Sequence, residues 1–188
     1  MTFRQLVIFV EGDYDDLFFS KIVKTRFHEQ SNYDHLQIIK WCKKEKDFVN
    51  KYVKSLKSMN TPEIECDYIF VTDLDPPNFE CIDDRKEHIL NDFKLISPTK
   101  IVIVVKEIEG WYLAGITDRT RKKIGVNSNE FRQIDPDSVT KETFDKKIKP
   151  RKYSKLEFML EVLKIYNMTI AQKRNKSLGD FFRQYHLS

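Results

Sequence analysis

Short apolar runs alternate with stretches of helical periodicity through the first 115 residues. Leu6–Val10 (LVIFV), Tyr68–Thr72 and Ile101–Val105 (IVIVV) are uninterrupted and β-rich, the pattern of strands buried on both faces. His35–Lys40 reads as a weaker strand. Between them, residues 13–27 place Tyr14, Leu17, Phe18, Ile22 and Thr25 at helical spacing, with Asp13 as the predicted N-cap. Lys43–Ser58 predicts a basic amphipathic helix through Phe48, Val49, Tyr52, Val53 and Leu56. Asp83–Phe93 predicts another through Ile89, Leu90 and Phe93. Pro76-Pro77 stops the third strand, because proline offers no amide donor to a ladder. Strand and helix in alternation predict an α/β fold: a mostly parallel, Rossmann-like central sheet with helices on both faces.

The pattern changes at Ile116. The stretch to Pro150 is polar and broken by Gly125, Asn127, Asn129 and Pro136, so it predicts loops with short helices. Lys155–Tyr166 and Leu178–Tyr185 then predict two helices. We read residues 1–188 as a single domain, with a core over 1–115 and a basic helical extension over 116–188 packed on it.

Composition sharpens this division. Residues 1–115 carry 16 Lys+Arg against 20 Asp+Glu, and residues 116–188 carry 17 against 9. An acidic half joined to a basic half suits a cation site facing a polyanion; the plainer alternative is two solvated surfaces. No apolar run approaches the ~20 residues of a membrane span, so no membrane association is expected. A strand begins almost at Met1, without the features of a secretory leader. The three cysteines, Cys42, Cys66 and Cys81, are odd in number and unpaired in spacing, which fits a reducing, cytoplasmic compartment. The four histidines fall in no ligand spacing.

Three of the predicted strands end in acid: Glu11 after the first, Asp73 and Asp75 after the third, Glu107 and Glu109 after IVIVV. Ligands of open α/β sheets bind beyond the carboxyl ends of the strands, where these side chains have the opportunity to converge. Asp73 and Asp75, two apart in an extended segment, share a face. Like charges held together call for a cation, and Mg²⁺ or Mn²⁺ with oxygen ligands is the expected cofactor.

The order Val7-Ile8-Phe9-Val10-Glu11-Gly12-Asp13-Tyr14-Asp15, then Val71-Thr72-Asp73-Leu74-Asp75, resembles the Toprim superfamily over roughly residues 4–113. The segment Lys106-Glu107-Ile108-Glu109-Gly110-Trp111-Tyr112-Leu113-Ala114 looks like that of small stand-alone Toprim-like proteins, related to nuclease domains of anti-phage defence systems. The resemblance implies Glu11 as general acid/base and metal ligand, Asp73 and Asp75 as metal ligands, and Glu109, with Glu107, as further acids. Gly12, Asp15 and Trp111 would be structural at the site, and Lys155 a late catalytic lysine reaching back to it. It also implies Mg²⁺-dependent phosphodiester chemistry on DNA or RNA. The chain has no GxxxxGK[ST] loop, so an ATPase or other defence subunit would stand on a separate chain.

Lys106, Arg121, Lys122, Lys123, Lys149, Arg151 and Lys152 are the candidate nucleic-acid contacts, since phosphate contacts are sequence-independent. Phe131, Phe144 and Tyr153 interleave with them as candidate stacking residues, although aromatics in such positions more often build core. The alternatives to a nuclease are a non-catalytic nucleic-acid-binding or regulatory protein, and an enzyme acting on a small phosphate.

Overall fold

A computed structural model describes residues 2–30, 32–42, 44–74 and 78–185. Asp75, Pro76, Pro77 and His186 lie outside the described residues. The chain divides into two compact units, residues 1–103 and residues 104–186. That division falls in the last predicted strand, ahead of the change in charge at residue 116.

The first unit holds a four-stranded parallel sheet in the order β2-β1-β3-β4, flanked by helices. Its strands are β1 (Phe3–Val10), β2 (His35–Lys40), β3 (Ile64–Asp73) and β4 (Ile101–Val104). β1 is central, paired in parallel with β2 on one side and β3 on the other. Its helices are α1 (Asp13–Phe18), continued by a π-helical segment Phe19–Val23 into α2 (Lys24–Gln30), then α3 (Lys46–Met59) and α4 (Ile82–Asp92). The connections from β1 to β2 and from β2 to β3 run in opposite directions across the sheet. Right-handed crossovers therefore put α1–α2 and α3 on opposite faces.

The core bears this out residue by residue. Val7 and Phe9 of β1, with Cys66, Tyr68 and Phe70 of β3, pack against Val49, Val53 and Leu56 of α3 and Ile89 of α4. Leu6, Ile8 and Val10 project to the other side by strand alternation and are also fully buried. Truncating a buried ring such as Phe9 would cost about 3–5 kcal/mol. Trp41, just past β2, lies half-buried at the carboxyl rim. Its amide donates to Val10 O (2.9 Å) and its indole Nε1 to Val71 O (3.2 Å), while its ring packs 4.9 Å from Phe70 and 5.5 Å from Phe93.

The first helix begins at Asp13, so Gly12, not Asp13, is its N-cap. Asp15 explains the shift: its Oδ2 accepts the Gly12 amide at 3.1 Å, tying the turn from within the helix. Asp13 instead pairs with Lys40 at 2.6 Å.

The second unit is helical. Its elements are α5 (Glu109–Ala114), α6 (Asp118–Arg121), α7 (Ser128–Gln133), α8 (Lys141–Thr143), α9 (Lys155–Lys164), α10 (Met168–Arg174) and α11 (Lys176–Gln184). The sequence pattern predicts two helices after residue 154, and among the described residues there are three. α10 is short and capped at both boundaries by asparagine: Asn167 accepts the Ile170 amide, and buried Asn175 accepts the Leu178 amide that starts α11. The buried helix α5 is gripped on all sides. A Cβ on Gly110 would stand 2.3 Å from Pro136 O, and one on Gly115 would stand 2.2 Å from the Tyr166 ring. Among the described residues no helix is long and apolar enough to cross a membrane.

Candidate functional site

The rim of the first unit brings two of the predicted acids together. Parallel pairing of Phe9 with Phe70 brings the end of β1 beside the end of β3, and Glu11 follows β1 directly. The Thr72 hydroxyl donates to Glu11 Oε2 at 2.8 Å, and the Asp73 amide donates to the same oxygen at 3.2 Å. Glu11 is thus fixed through one oxygen onto the strand end that carries Asp73. Its side chain remains 29 % exposed, whereas Asp73 is buried.

A third member of this cluster comes from α4. Arg85 is buried, although arginine is almost never fully buried without a partner. Its Nη2 donates to Thr72 Oγ1 (2.8 Å) and its Nε to Asp73 O (3.0 Å), and Nη2 lies 3.8 Å from Glu11 Oε2. The guanidinium also stacks 4.7 Å from the centre of the Phe79 ring. Thr72 therefore acts as a relay, accepting from Arg85 and donating to Glu11. Sequence reasoning missed Arg85 and Thr72. The signal for Arg85 was its place four residues before Ile89, on the face of α4 that meets the sheet.

Among the described residues, no three His, Cys, Asp or Glu side chains gather as a metal cage. Mg²⁺ commonly takes only one or two carboxylates, completing its octahedron with water and substrate phosphate. Glu11 and Asp73 are the described acids at this rim, and carboxylate oxygens are the donor type a hard divalent cation takes.

Asp75 lies outside the described residues; Glu107 and Glu109 belong to the second unit, and each is paired with a lysine. Glu109 is fully buried, with Oε1 2.7 Å from Lys155 Nζ, whose side chain is 16 % exposed. Asp145, in a π-helical segment (Phe144–Ile148), stands 3.7 Å from the same nitrogen. Glu107 pairs with Lys141 Nζ at 3.2 Å and also accepts the Lys141 amide. Burial pushes the Glu107 carboxyl above the usual glutamate value, and Lys141 opposes that shift only in part. Lys141 and Asp145 carried no sequence signal beyond their charge. Lys106, directly before Glu107, is partly buried and has φ of +63°, the left-handed region that L side chains resist.

Trp111 is fully buried. Its Nε1 donates to Ser177 Oγ (2.9 Å), that hydroxyl donates to Asn175 Oδ1 (2.9 Å), and Tyr166 OH donates to Trp111 O (2.7 Å).

The basic candidates separate into two groups. Arg121 is buried, and its guanidinium pairs at 2.9 Å with Asp118, which is exposed. Lys149 is half-buried, with Nζ on Tyr153 O at 3.0 Å. Lys122, Lys123, Arg151 and Lys152 are exposed. Phe131 and Phe144 are core residues, and Tyr153 packs against Phe158 at 6.0 Å, which removes the first two as stacking surfaces.

Compared with known protein families, curated proteins and solved structures, the chain shows no significant match.

Proposed function

We propose that the chain is a Mg²⁺- or Mn²⁺-dependent phosphodiesterase acting on DNA or RNA, a nuclease of the Toprim kind. The observation that carries the reading is the fixing of Glu11 Oε2 by Thr72 and the Asp73 amide, which commits two acids 62 residues apart to one rim. Glu11 and Asp73 would hold the cation, with Asp75 next along the chain. Bound Mg²⁺ supplies charge neutralisation at the phosphate and lowers the pKa of bound water. Glu11 is oriented for proton transfer or cation binding through Oε1, because Oε2 is occupied. Arg85 keeps that orientation through Thr72 and the Asp73 carbonyl. The sequence resemblance is the ground for an anti-phage setting and for an ATPase or other defence partner on a separate chain.

The test is cleavage of plasmid, single-stranded DNA and structured RNA in Mg²⁺, in Mn²⁺ and in EDTA. Glu11→Gln and Asp73→Asn are each expected to lower the rate about 10²-fold or more while the melting curve stays intact. Cleavage unchanged in both variants, or undiminished in EDTA, would refute the reading.

A non-catalytic nucleic-acid-binding protein is the second reading, and one observation favours it. Glu11, Glu107 and Glu109 each already face a cationic side chain within 4 Å. Such a protein would bind nucleic acid without cutting it, and binding would be indifferent to Mg²⁺.

A further inference from the structure

Two turns of the second unit lie side by side, and their charge is all of one sign. Residues 119–126 (RTRKKIGV) and 146–153 (KKIKPRKY) contain no acid. In the first, Gly125 takes φ of +75°, and its amide closes the turn on Lys122 O at 3.3 Å. A Cβ on Gly125 would stand 3.7 Å from Lys152 Cε and 3.8 Å from Pro150 Cγ, so the second turn runs directly against the first. In that second turn the Tyr153 amide donates to Pro150 O (3.1 Å), and Lys149 Nζ to Tyr153 O (3.0 Å). Lys149 thereby staples the turn from below. Lys122, Lys123, Arg151 and Lys152 are exposed.

Four exposed cations on two abutting turns repel one another, and the acids that precede the turns are engaged elsewhere, Asp118 with Arg121 and Arg132 and Asp145 with Lys155. Such an arrangement is stabilised by a polyanion, whose phosphates accept the charge and release counterions. The aromatic ring in the patch is already engaged: Lys152 Nζ sits 4.7 Å from the centre of Tyr153, which itself leans on Phe158. Proteins that favour single strands stack bases on free aromatic faces, and here that contribution is missing.

We infer that the turns 119–126 and 146–153 form a clasp for the phosphate backbone of duplex nucleic acid, independent of base sequence. The clasp rests on the nucleic-acid part of the proposed function and not on its chemistry.

The experiment is fluorescence-anisotropy binding of the full chain in EDTA, where no metal-dependent cutting occurs. The probes are a 20-bp DNA duplex, a scrambled duplex and a 20-nucleotide single strand, each from 50 to 200 mM salt. Four phosphate contacts give a log–log slope near −3.6, so duplex affinity is expected to fall about 10²-fold across that range, alike for both duplexes. Lys122→Gln, Lys123→Gln, Arg151→Gln and Lys152→Gln should each lower the slope by about 1, and the fourfold variant should flatten it. All four are exposed, so the melting curve serves as the folding control. An unchanged slope in the fourfold variant, tighter binding to the single strand, or equal binding to vesicles of 30 % phosphatidylserine would overturn the clasp. Absence of duplex binding by the unsubstituted chain while it cuts nucleic acid sinks the clasp alone, and absence of cutting while it binds the duplex sinks the nuclease alone.

Discussion

Lys155 Nζ lies 2.7 Å from Glu109 Oε1, a cation and an anion 46 residues apart and both largely withdrawn from water. The pair is needed because Glu109 is fully buried at the start of α5. A carboxylate at that depth is strongly disfavoured without a partner, and removing one member of a buried pair costs more than the pair itself contributes.

Lys155→Met should therefore destabilise the protein by about 3–5 kcal/mol, a melting shift on the order of 10 °C. Glu109→Leu combined with Lys155→Met should recover most of that loss. A thermal double-mutant cycle measures both, and additive effects of the two single changes would show that the residues are not energetically paired.

Thr72→Val keeps the shape of the side chain and breaks the relay between Arg85 and Glu11. Two bonds of 2.8 Å are lost at once, and the Arg85 Nη2 donor is left buried. The expected cost is about 1–3 kcal/mol by chemical denaturation. Thr72→Ser, which restores the hydroxyl, should recover most of it. Equal stabilities of the Val and Ser variants would mean that the relay carries no energy.

Gly110→Ala would bring a methyl group to 2.3 Å from Pro136 O, a backbone atom that has no rotamer to yield. Overpacking of this kind is expected to cost about 1–3 kcal/mol, read as a lower denaturation midpoint at constant m-value.

Two carboxylates of the second unit give opposite pH responses. Glu107 is raised by burial, so between its unfolded and folded values the native state binds the extra proton, and stability falls as pH rises through that window. Asp118 is lowered by hydrogen bonds from Arg121 and Arg132. Its contribution is present above the ordinary aspartate value and is lost as pH falls through the lowered one. Melting temperatures from pH 3 to 7 should show Glu107→Gln removing the first slope and Asp118→Asn the second. The same slope in wild type and both variants would contradict the assignment.

Much of the first unit was legible because buried parallel strands are written as continuous apolar runs. LVIFV and IVIVV need no context to be read, and Glu11 after the first marks the sheet's carboxyl rim. The parts that were not legible depend on which way a charged side chain turns. The block Arg119–Lys123 offers four cations, and only the fold shows that Arg121 turns inward to Asp118 while Lys122 and Lys123 face water. Arg85 reads as a solvent residue on a charged helix until the Thr72 hydroxyl is found beneath it. α10 escaped because Met168 and Ala171 are its buried positions, too few to establish a period.

The two tryptophans of the chain fall one to each compact unit, and their surroundings differ. Trp41 is half-buried, its indole hooked to the carbonyl just before Thr72, whereas Trp111 is sealed from solvent. The molecule therefore carries two built-in optical dyes of distinct colour, a redder emission from the rim and a bluer one from the helical unit. Substituting either by phenylalanine leaves the other to report alone, so the melting of each half becomes visible without any added label.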